Sequence, residues 1–240
     1  MLAPAPLVSV IIVTKRPTFL PLVMGMICRQ DHPNIEVIVC LHGHDMASID
    51  APVGVALAYA RHILEMPEAM SLGFCLNAAI SEARGDFVAK LDDDDIYGRG
   101  YLSEAVRVLR EGRGDVAGKS EHFVYLHQTG QFVLRRAGES HQIRKFVHGA
   151  TLVFPRDLSR TLPFPDLTRG EDTVFLRSCL EAGVRVYSGS RKNYIYIRRG
   201  DGAGHTWTST DQFFLDGGQG IPLKNHPDMS PSDLLRLIEA

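Results

Sequence analysis

Four consecutive aspartates at residues 92–95 are the feature of this sequence best suited to chemistry. They directly follow the largely apolar segment 86–91, which is typical of a buried strand. Four adjacent carboxylates repel one another unless a cation lies among them. Alternate residues of an extended chain share a face, so Asp92 and Asp94 together predict a site for Mg²⁺ or Mn²⁺. A solvated acidic loop is the alternative, but ligands gather at the carboxyl ends of strands in α/β sheets, which favours the metal site.

A second acidic pair, Glu171 and Asp172, opens a predicted helix over residues 171–180. The helix dipole alone favours carboxylates at a helix N-terminus. Alternatively, Asp172 is a general base, with Glu171 beside it, that the start of a rigid helix holds near the site. The residues alone leave both interpretations open.

Residues 198–207 combine three glycines with Arg198, Arg199, His205 and the only tryptophan. This segment is either a surface loop or a lid that closes over phosphates. Glycine hinges beside charged residues favour the lid. In the lid, Arg198 or Arg199 meets negative charge, and His205 supplies a metal ligand or a hydrogen-bond donor.

Two further groups of polar residues suit phosphate binding. Thr14 and Arg16 follow the first predicted strand, where a nucleotide would lie. A basic cluster further along the chain is either a site for a phosphorylated acceptor or a solvated face; it comprises Arg135, Arg136, Arg144 and Lys145.

The elements that must position these residues alternate in the first half of the chain, which predicts a parallel α/β sheet with right-handed crossovers. Helices are expected from Pro17, from Ser71 to a cap at Gly85, over 101–110 and over 171–180. Strands are expected over residues 8–13, 36–40, 55–60, 86–91, 116–127, 131–136, 150–154, 184–188 and 193–198. We therefore expect one α/β domain over residues 1–216, with a mostly parallel central sheet flanked by helices and a smaller β-rich portion. Residues 217–240 are expected to form a mobile tail with a short helix at 234–238.

Composition excludes several functional classes. The chain has 240 residues and a net charge of -2, which argues against a nucleic-acid partner. No apolar run approaches the ~20 residues that cross a bilayer, and residues 7–13 lack the flanks of a signal peptide. No close cysteine pair is present, which excludes a CxxC redox or zinc site and predicts a cytoplasmic protein, at most peripheral at the inner face of a membrane. The cysteines are Cys28, Cys40, Cys75 and Cys179.

Taken in order, these segments resemble the family 2 glycosyltransferases with the GT-A fold, over roughly residues 7–207. The resemblance implies transfer of a sugar, with inversion, from a nucleotide diphospho-sugar to an acceptor hydroxyl. The acceptor would be a saccharide, a lipid-linked intermediate or a small molecule, bound beside the β-rich portion. The features that carry the resemblance are the opening strand 8–14, Asn77, the segment 85–95 and the pair Glu171-Asp172.

In this family the metal-binding Asp-x-Asp falls on Asp92 and Asp94, and the base of the inverting enzymes falls on Asp172. Mn²⁺ or Mg²⁺ is the implied cofactor, with His205 as a further candidate ligand. The residues expected to contact the donor are Thr14, Arg16, His42, Asn77, Lys90, Asp92, Arg198 and Arg199.

One segment departs from the family pattern. The second strand often ends in Asp-Asp-Gly-Ser, with an aspartate that reads uracil, whereas Leu41 and His42 replace the carboxylates here. His42 would accept a hydrogen bond or stack, or the donor carries another base. The change keeps open a degenerate nucleotide- or carbohydrate-binding module. A sugar-phosphate nucleotidyltransferase is disfavoured, because residues 14–17 lack the glycine-rich loop that it needs.

Overall fold

The computed structural model describes residues 4–199, 210–216, 218–221 and 229–239. A central eight-stranded sheet is flanked by helices, and a second sheet of five strands stands beside it. The predicted single α/β domain with a mostly parallel central sheet is confirmed. The boundary between residues 216 and 217 stays a prediction.

The first half of the chain forms the parallel part of the central sheet. Its strands pair in the order β3-β2-β1-β4, and the connections cross over through helices. Both faces of β1 are covered, so its β-branched residues are almost entirely buried. The strands are β1 (Val8–Thr14), β2 (Ile35–His42), β3 (His62–Met66) and β4 (Phe87–Lys90). The helices are α1 (Leu20–Cys28), α2 (Ala51–Leu57) and α3 (Leu72–Ser81), and a 3-10 turn (Pro17–Phe19) precedes α1.

The second half extends the central sheet with mixed pairing. Here β10 lies antiparallel between β4 and β6, and the order continues to β11 and β9. The strands are β6 (Val116–Gly118), β9 (Gln142–Ile143), β10 (Val153–Pro155) and β11 (Val186–Ser188). The helices are α4 (Tyr101–Arg110), α5 (Arg156–Thr161) and α6 (Glu171–Glu181).

The second sheet has the strand order β13-β8-β7-β12-β5. Beside it, the C-terminal helix α8 buries Leu234, Leu235 and Ile238 against the core. The strands are β5 (Ile96–Tyr97), β7 (His122–Leu126), β8 (Gln131–Arg135), β12 (Tyr194–Arg198) and β13 (Gly218–Ile221). The remaining helices are α7 (Asp211–Asp216) and α8 (Pro231–Glu239).

The strand predicted at residues 55–60 is wrong, because this region is the end of α2. The Asp50 side chain accepts a hydrogen bond from Val53 N–H and caps the helix, and a proline occupies its first turn. Val55 is 67% exposed, which a strand of the central sheet would not allow. The third strand lies instead at His62–Met66.

Two other predicted strands are interrupted. Residues 116–127 form β6 and β7, which belong to different sheets, because the chain leaves the central sheet at Lys119. There the Lys119 ammonium lies buried 2.9 Å from Glu104. The region 150–154 begins with a 3-10 turn (Gly149–Thr151), in which Thr151 Oγ1 donates to His148 O, and only then continues as β10.

Gly85 does not cap α3, which ends at Ser81 with Glu82 as its C-cap. Its N–H donates to Ser9 Oγ at 2.9 Å. A Cβ atom at Gly85 would come within 2.6 Å of Ser9 Oγ and 2.7 Å of Ser9 N. The glycine is therefore explained by the close approach of β1.

Candidate active site

A cleft of about 500 Å³ opens at the carboxyl ends of β1, β2 and β4. Parallel strands end at the same edge, so residues far apart in sequence meet there. The start of α3 and the segment before α6 complete the walls. The lining residues are Val13, Lys15, Arg16, His42, Leu72, Leu76, Lys90, Leu91, Asp92, Asp93, Asp94, Thr168 and Arg169.

The middle aspartates of the acidic run are held by the predicted nucleotide-site residues. Thr14 Oγ1 donates a short hydrogen bond to Asp93, and Arg16 Nη2 donates to Asp93 at 2.6 Å. Asp94 lies between two guanidinium groups, with Oδ2 at 2.9 Å from Arg16 Nη1 and 3.1 Å from Arg199 Nη1. Two cations therefore offset the repulsion within the run.

Arg16 and Arg199 also lie over one aromatic ring. Their guanidinium carbons are 5.1 and 4.5 Å from the centre of the Phe19 ring. Residues from the first and last parts of the described chain are thus joined beside Asp94. The sequence predicted that an arginine here meets the negative charge of phosphates, and in the structure Arg199 contacts the carboxylate of Asp94.

Lys90 forms an ion pair with Asp92, the first aspartate of the run. Its buried ammonium donates to Asp92 Oδ1 at 2.7 Å, while the Asp92 side chain is 43% exposed. Burial alone would lower the pKa of Lys90, but Asp92, Glu171 and Asp172 raise it above its usual value. The protein around the partly exposed Asp92 displaces water and so favours its protonated form, but Lys90 brings its pKa below the ordinary value. The pair is therefore ionised at neutral pH.

The fourth carboxylate of the run points into the protein. Asp95 is fully buried, and its Oδ2 accepts from Tyr194 Oη at 2.6 Å while its Oδ1 accepts from Ile197 N–H at 3.0 Å. Burial and the neighbouring carboxylates of Asp94 and Asp92 raise its pKa. Asp95 ties the acidic run to β12.

The carboxylates of Asp92 and Asp94 suit a small divalent cation. Asp92 and Asp94 both line the cleft. Within the described residues, no group of three or more His, Cys, Asp or Glu side chains is arranged as a complete metal site. Mg²⁺, and Mn²⁺ like it, prefers oxygen ligands and binds through one or two carboxylates, with water and substrate phosphates as the other ligands. Two carboxylates on the wall of a nucleotide-sized cleft match that requirement.

Asp172 lies at the start of α6 with its two carboxylate oxygens in different surroundings. Oδ1 accepts from Thr173 N–H at 2.6 Å and from Thr173 Oγ1 at 3.3 Å. Oδ2 has no hydrogen-bond partner among the residues that the structure describes, and it faces the backbone of Gly149. One oxygen is thus anchored while the other is available to accept a proton.

Glu171 is buried beside Asp172. Burial raises its pKa to about 7, with Lys90 opposing the effect and Asp172 adding to it. Only 6% of Glu171 is exposed, so its side chain packs inside the protein at the start of α6.

The turn that begins at His148 was not singled out from the sequence, although it faces the site. His148 Nδ1 lies 2.9 Å from Tyr194 Oη, and its ring packs 4.8 Å from the His122 ring. Burial lowers the pKa of His148 while Asp92 and Asp172 oppose the shift, so both carboxylates are near its ring. A histidine followed by a glycine after an apolar segment is too weak a sequence pattern to predict that His148 lies beside the site.

The sequence profile described as glycosyl transferase family 2 matches residues 9–146, more than half of the chain. The chain belongs to glycosyl transferase family 2. No curated protein shows significant sequence similarity to it.

Solved structures of glycosyltransferases have the same fold as this family 2 chain. A mannosyltransferase of Pyrobaculum calidifontis, PcManGT with GDP-Man and Mn²⁺, has a TM-score of 0.64 and 17% identity over 99% of this chain and 70% of its own. S. aureus TarS 1-349 has a TM-score of 0.60 and 17% identity over 80% of this chain and 60% of its own. Its complex with UDP-GlcNAc has a TM-score of 0.62 and 18% identity over 88% of this chain and 64% of its own. The chain thus spans about 60% of the TarS fragment, and at these identities the likeness establishes the fold.

His42 stands where this sequence departs from the family 2 pattern, and it lines the cleft. Its Nε2 lies 3.2 Å from Glu68 O and 2.9 Å from Met70 O. Two carbonyl oxygens accept hydrogen bonds, so Nε2 carries the proton. Burial lowers the pKa of His42, with Lys15 adding to the effect, and the neutral ring therefore keeps Nδ1 as an acceptor.

Two residues that are expected from the sequence to contact the donor lie elsewhere. Asn77 Nδ2 donates to Phe164 O at 2.8 Å, and its Oδ1 accepts from Phe164 N–H at 3.0 Å, so its amide clamps a loop to α3. The buried Arg198 points toward α7, with Nε 3.8 Å from Asp211 Oδ1. Neither residue lines the cleft.

Two residues of the predicted basic cluster form internal contacts. Arg135 Nη1 donates to the carbonyls of Phe213 and Phe214, and Arg144 forms an ion pair with Glu139. His205 and the proposed lid at 200–207 lie outside the described residues. No helix in the described part of the chain has the length and apolar character needed to cross a bilayer.

Proposed function

We propose that the protein is a divalent-metal-dependent, inverting glycosyltransferase that uses a nucleotide diphospho-sugar. The observation that carries this proposal is the cleft itself. It brings Arg16, Lys90 and the carboxylates Asp92 and Asp94 to one wall. Asp172 stands near the same carboxylates with one oxygen unpaired within the described residues.

The lining of the cleft combines charged with apolar residues, and we infer the direction of the donor from them. Arg16, Lys90, Asp92 and Asp94 form the charged end and suit the diphosphate with its cation. The other end combines His42 with the apolar side chains Val13, Leu72 and Leu76, which suit a flat heterocycle.

Asp92 and Asp94 would hold the cation, which supplies charge neutralisation on the leaving diphosphate. Arg16 and Arg199 both contact Asp94. Their guanidinium groups therefore stand beside the proposed cation site, where they suit the diphosphate oxygens. Bidentate guanidinium–phosphate contacts are strong and directional, so the arginines orient the donor.

Asp172 takes the proton of the attacking hydroxyl through Oδ2. Thr173 holds Oδ1, which fixes the orientation of the carboxylate. A positioned base contributes about 10²–10⁴-fold to the rate. Attack by the deprotonated hydroxyl on the face opposite the diphosphate gives inversion in one displacement. Four free cysteines agree with a cytoplasmic location, which is part of this proposal.

The experiment is a thermal-shift screen of UDP, GDP, dTDP and CDP, each with and without Mn²⁺. A nucleotide that binds only the folded protein raises the Tm. We expect shifts that require Mn²⁺ for UDP, GDP or dTDP, because their bases present a ring N–H to His42 Nδ1. Cytosine presents a lone pair there instead, and CDP should bind most weakly. Equal shifts without Mn²⁺, or no shift with any nucleotide, would contradict the proposal.

A further inference from the structure

Gly149 is the residue on which the carboxylate of Asp172 rests. A Cβ atom at Gly149 would overlap Oδ2 of Asp172 and would lie 2.6 Å from its Cγ and 2.8 Å from its Cβ. The backbone of Gly149 is outside the left-handed region. Glycine is therefore required at this position for space and not for conformation.

The turn that carries Gly149 is anchored at both ends. His148 N–H donates to Lys119 O at 2.8 Å, and Thr151 N–H donates to His148 O at 2.9 Å. Thr151 Oγ1 donates to His148 O at 2.6 Å and accepts from Lys119 N–H at 2.9 Å. These bonds leave the turn little freedom to move away from an added methyl group.

The opposite side of the contact is fixed as well. Asp172 lies in the first turn of α6, whose next residues bury Phe175 and Leu176 in the core. Val174 N–H donates to Gly170 O at 2.9 Å, which closes the first turn of the helix. A side chain at position 149 would therefore displace the carboxylate of Asp172 rather than the helix.

The same turn is joined to the acidic run by a two-step hydrogen-bond path. Asp92 N–H donates to Tyr97 Oη at 2.9 Å, and Tyr97 Oη donates to Ala150 O at 2.9 Å. Lys90 N–H also donates to Leu152 O at 2.9 Å. The seat of the base and the candidate metal carboxylate thus share one rigid frame.

We propose that Gly149 is a positioning residue that seats Oδ2 of Asp172 at the place where the acceptor hydroxyl loses its proton. The inference rests on the proposed function, since it concerns the base of that reaction. Any side chain at 149 occupies the space of Oδ2 and turns the base away, while the nucleotide end of the cleft stays intact.

The first test is the coupling between positions 149 and 172 in thermal stability. Tm is measured for the wild type, Gly149→Ala, Asp172→Ala and the double variant. The methyl group overlaps the carboxylate, so Gly149→Ala should lower the Tm, and Asp172→Ala should restore much of the loss. Additive changes would overturn the proposal, because contacting residues are expected to couple.

Gly114→Ala is the matched control for this coupling. Its Cβ atom would also be crowded, 2.6 Å from Tyr187 Cβ, but its nearest neighbours belong to Tyr187 and Arg185 and not to Asp172. Asp172→Ala should not restore its Tm. Equal restoration in Gly114→Ala and Gly149→Ala would also overturn the proposal.

The second test is the rate of nucleoside diphosphate release from UDP-, GDP- and dTDP-sugars, with water as the hydroxyl that takes the sugar. Gly149→Ala should slow release about 10²-fold, as for loss of a positioned base, with an unchanged Kd for the Mn²⁺–nucleotide complex. Combined with Asp172→Asn, it should cause no further loss. A wild-type rate in Gly149→Ala, or a loss that multiplies with that of Asp172→Asn, would overturn the proposal. Wild-type protein that releases no nucleotide would overturn the proposed function and the role of Asp172 as base. The coupling in Tm would still measure the contact between Gly149 and Asp172.

Discussion

Glu171 and Asp172 are neighbours in sequence, but their carboxyl groups are in different environments. Glu171 is 6% exposed, and burial raises its pKa to about 7, whereas Asp172 lies at the partly exposed start of α6. A carboxyl group whose pKa is raised by folding binds protons more tightly in the folded state than in the unfolded state. Its contribution to stability is therefore largest at low pH and is lost as pH rises.

We predict that Glu171→Gln removes this pH dependence. The wild-type protein loses up to about 3 kcal/mol from this group as pH rises from about 4.5 to about 7. A glutamine does not ionise, so the stability of the wild type relative to the variant should fall across that window. Urea unfolding of both proteins at several pH values between 5 and 8 measures the difference.

Glu181→Gln is the control, because Glu181 is an exposed glutamate on the same helix. Its stability relative to the wild type should vary much less over the same range. If the difference in free energy of unfolding between the wild type and Glu171→Gln stays constant with pH, the raised pKa of Glu171 is contradicted.

The residue types in the site were largely predictable, while their separate roles were not. A run of four aspartates after a buried strand predicts a cation site. Nothing in the sequence indicates that Asp93 meets Thr14 or that Asp95 points inward to Tyr194. Those roles depend on which way each side chain leaves a turn, and the partners come from strands about 80 and 100 positions away.

At the scale of elements, the strands with the strongest β-branched pattern were predicted well. β1, β2 and β4 agree with the expected segments within a few residues. The strand prediction for residues 55–60 was wrong because the helix cap at Asp50 and the following proline outweigh the β-branched valines. The split at Lys119 was not predictable, because a single extended segment changes sheets there and its buried polar groups find partners only in the folded chain.

Helix α3 illustrates an element whose polar residue has a structural contact. Asn77 forms two hydrogen bonds with the backbone of Phe164, which is itself 2% exposed. We predict that Asn77→Ala lowers the free energy of unfolding by about 2 kcal/mol, because it leaves buried backbone groups unpaired. Denaturant unfolding measures this change.

Ser81→Ala is the matched control on the same helix. Ser81 is exposed, and its hydroxyl donates only to Ala78 O, so its removal should change stability little. Mn²⁺-dependent nucleotide affinity of Asn77→Ala should stay close to the wild-type value. A large loss of affinity without loss of stability would instead support the donor contact that the family resemblance implied.

At the scale of the whole molecule, the site is assembled from distant parts of the chain. The family match covers residues 9–146 and therefore includes the acidic run but not Asp172 or Arg199. The fold places Arg199 3.1 Å from Asp94 and brings Asp172 near Lys90, and both Asp94 and Lys90 line the cleft. The assignment of the base thus depends on geometry, in particular on the seat at Gly149.

The most direct measurement of the central claim is the turnover of Asp172→Asn beside its nucleotide affinity. Nucleoside diphosphate release from UDP-, GDP- and dTDP-sugars with Mn²⁺, with water as the hydroxyl that takes the sugar, gives the rate, and calorimetry gives the Kd. The account predicts a rate about 10²–10⁴-fold below the wild type with an unchanged Kd, because the variant removes a base and little volume. Turnover near the wild-type rate in Asp172→Asn would contradict the assignment of the base and, with it, the proposed mechanism.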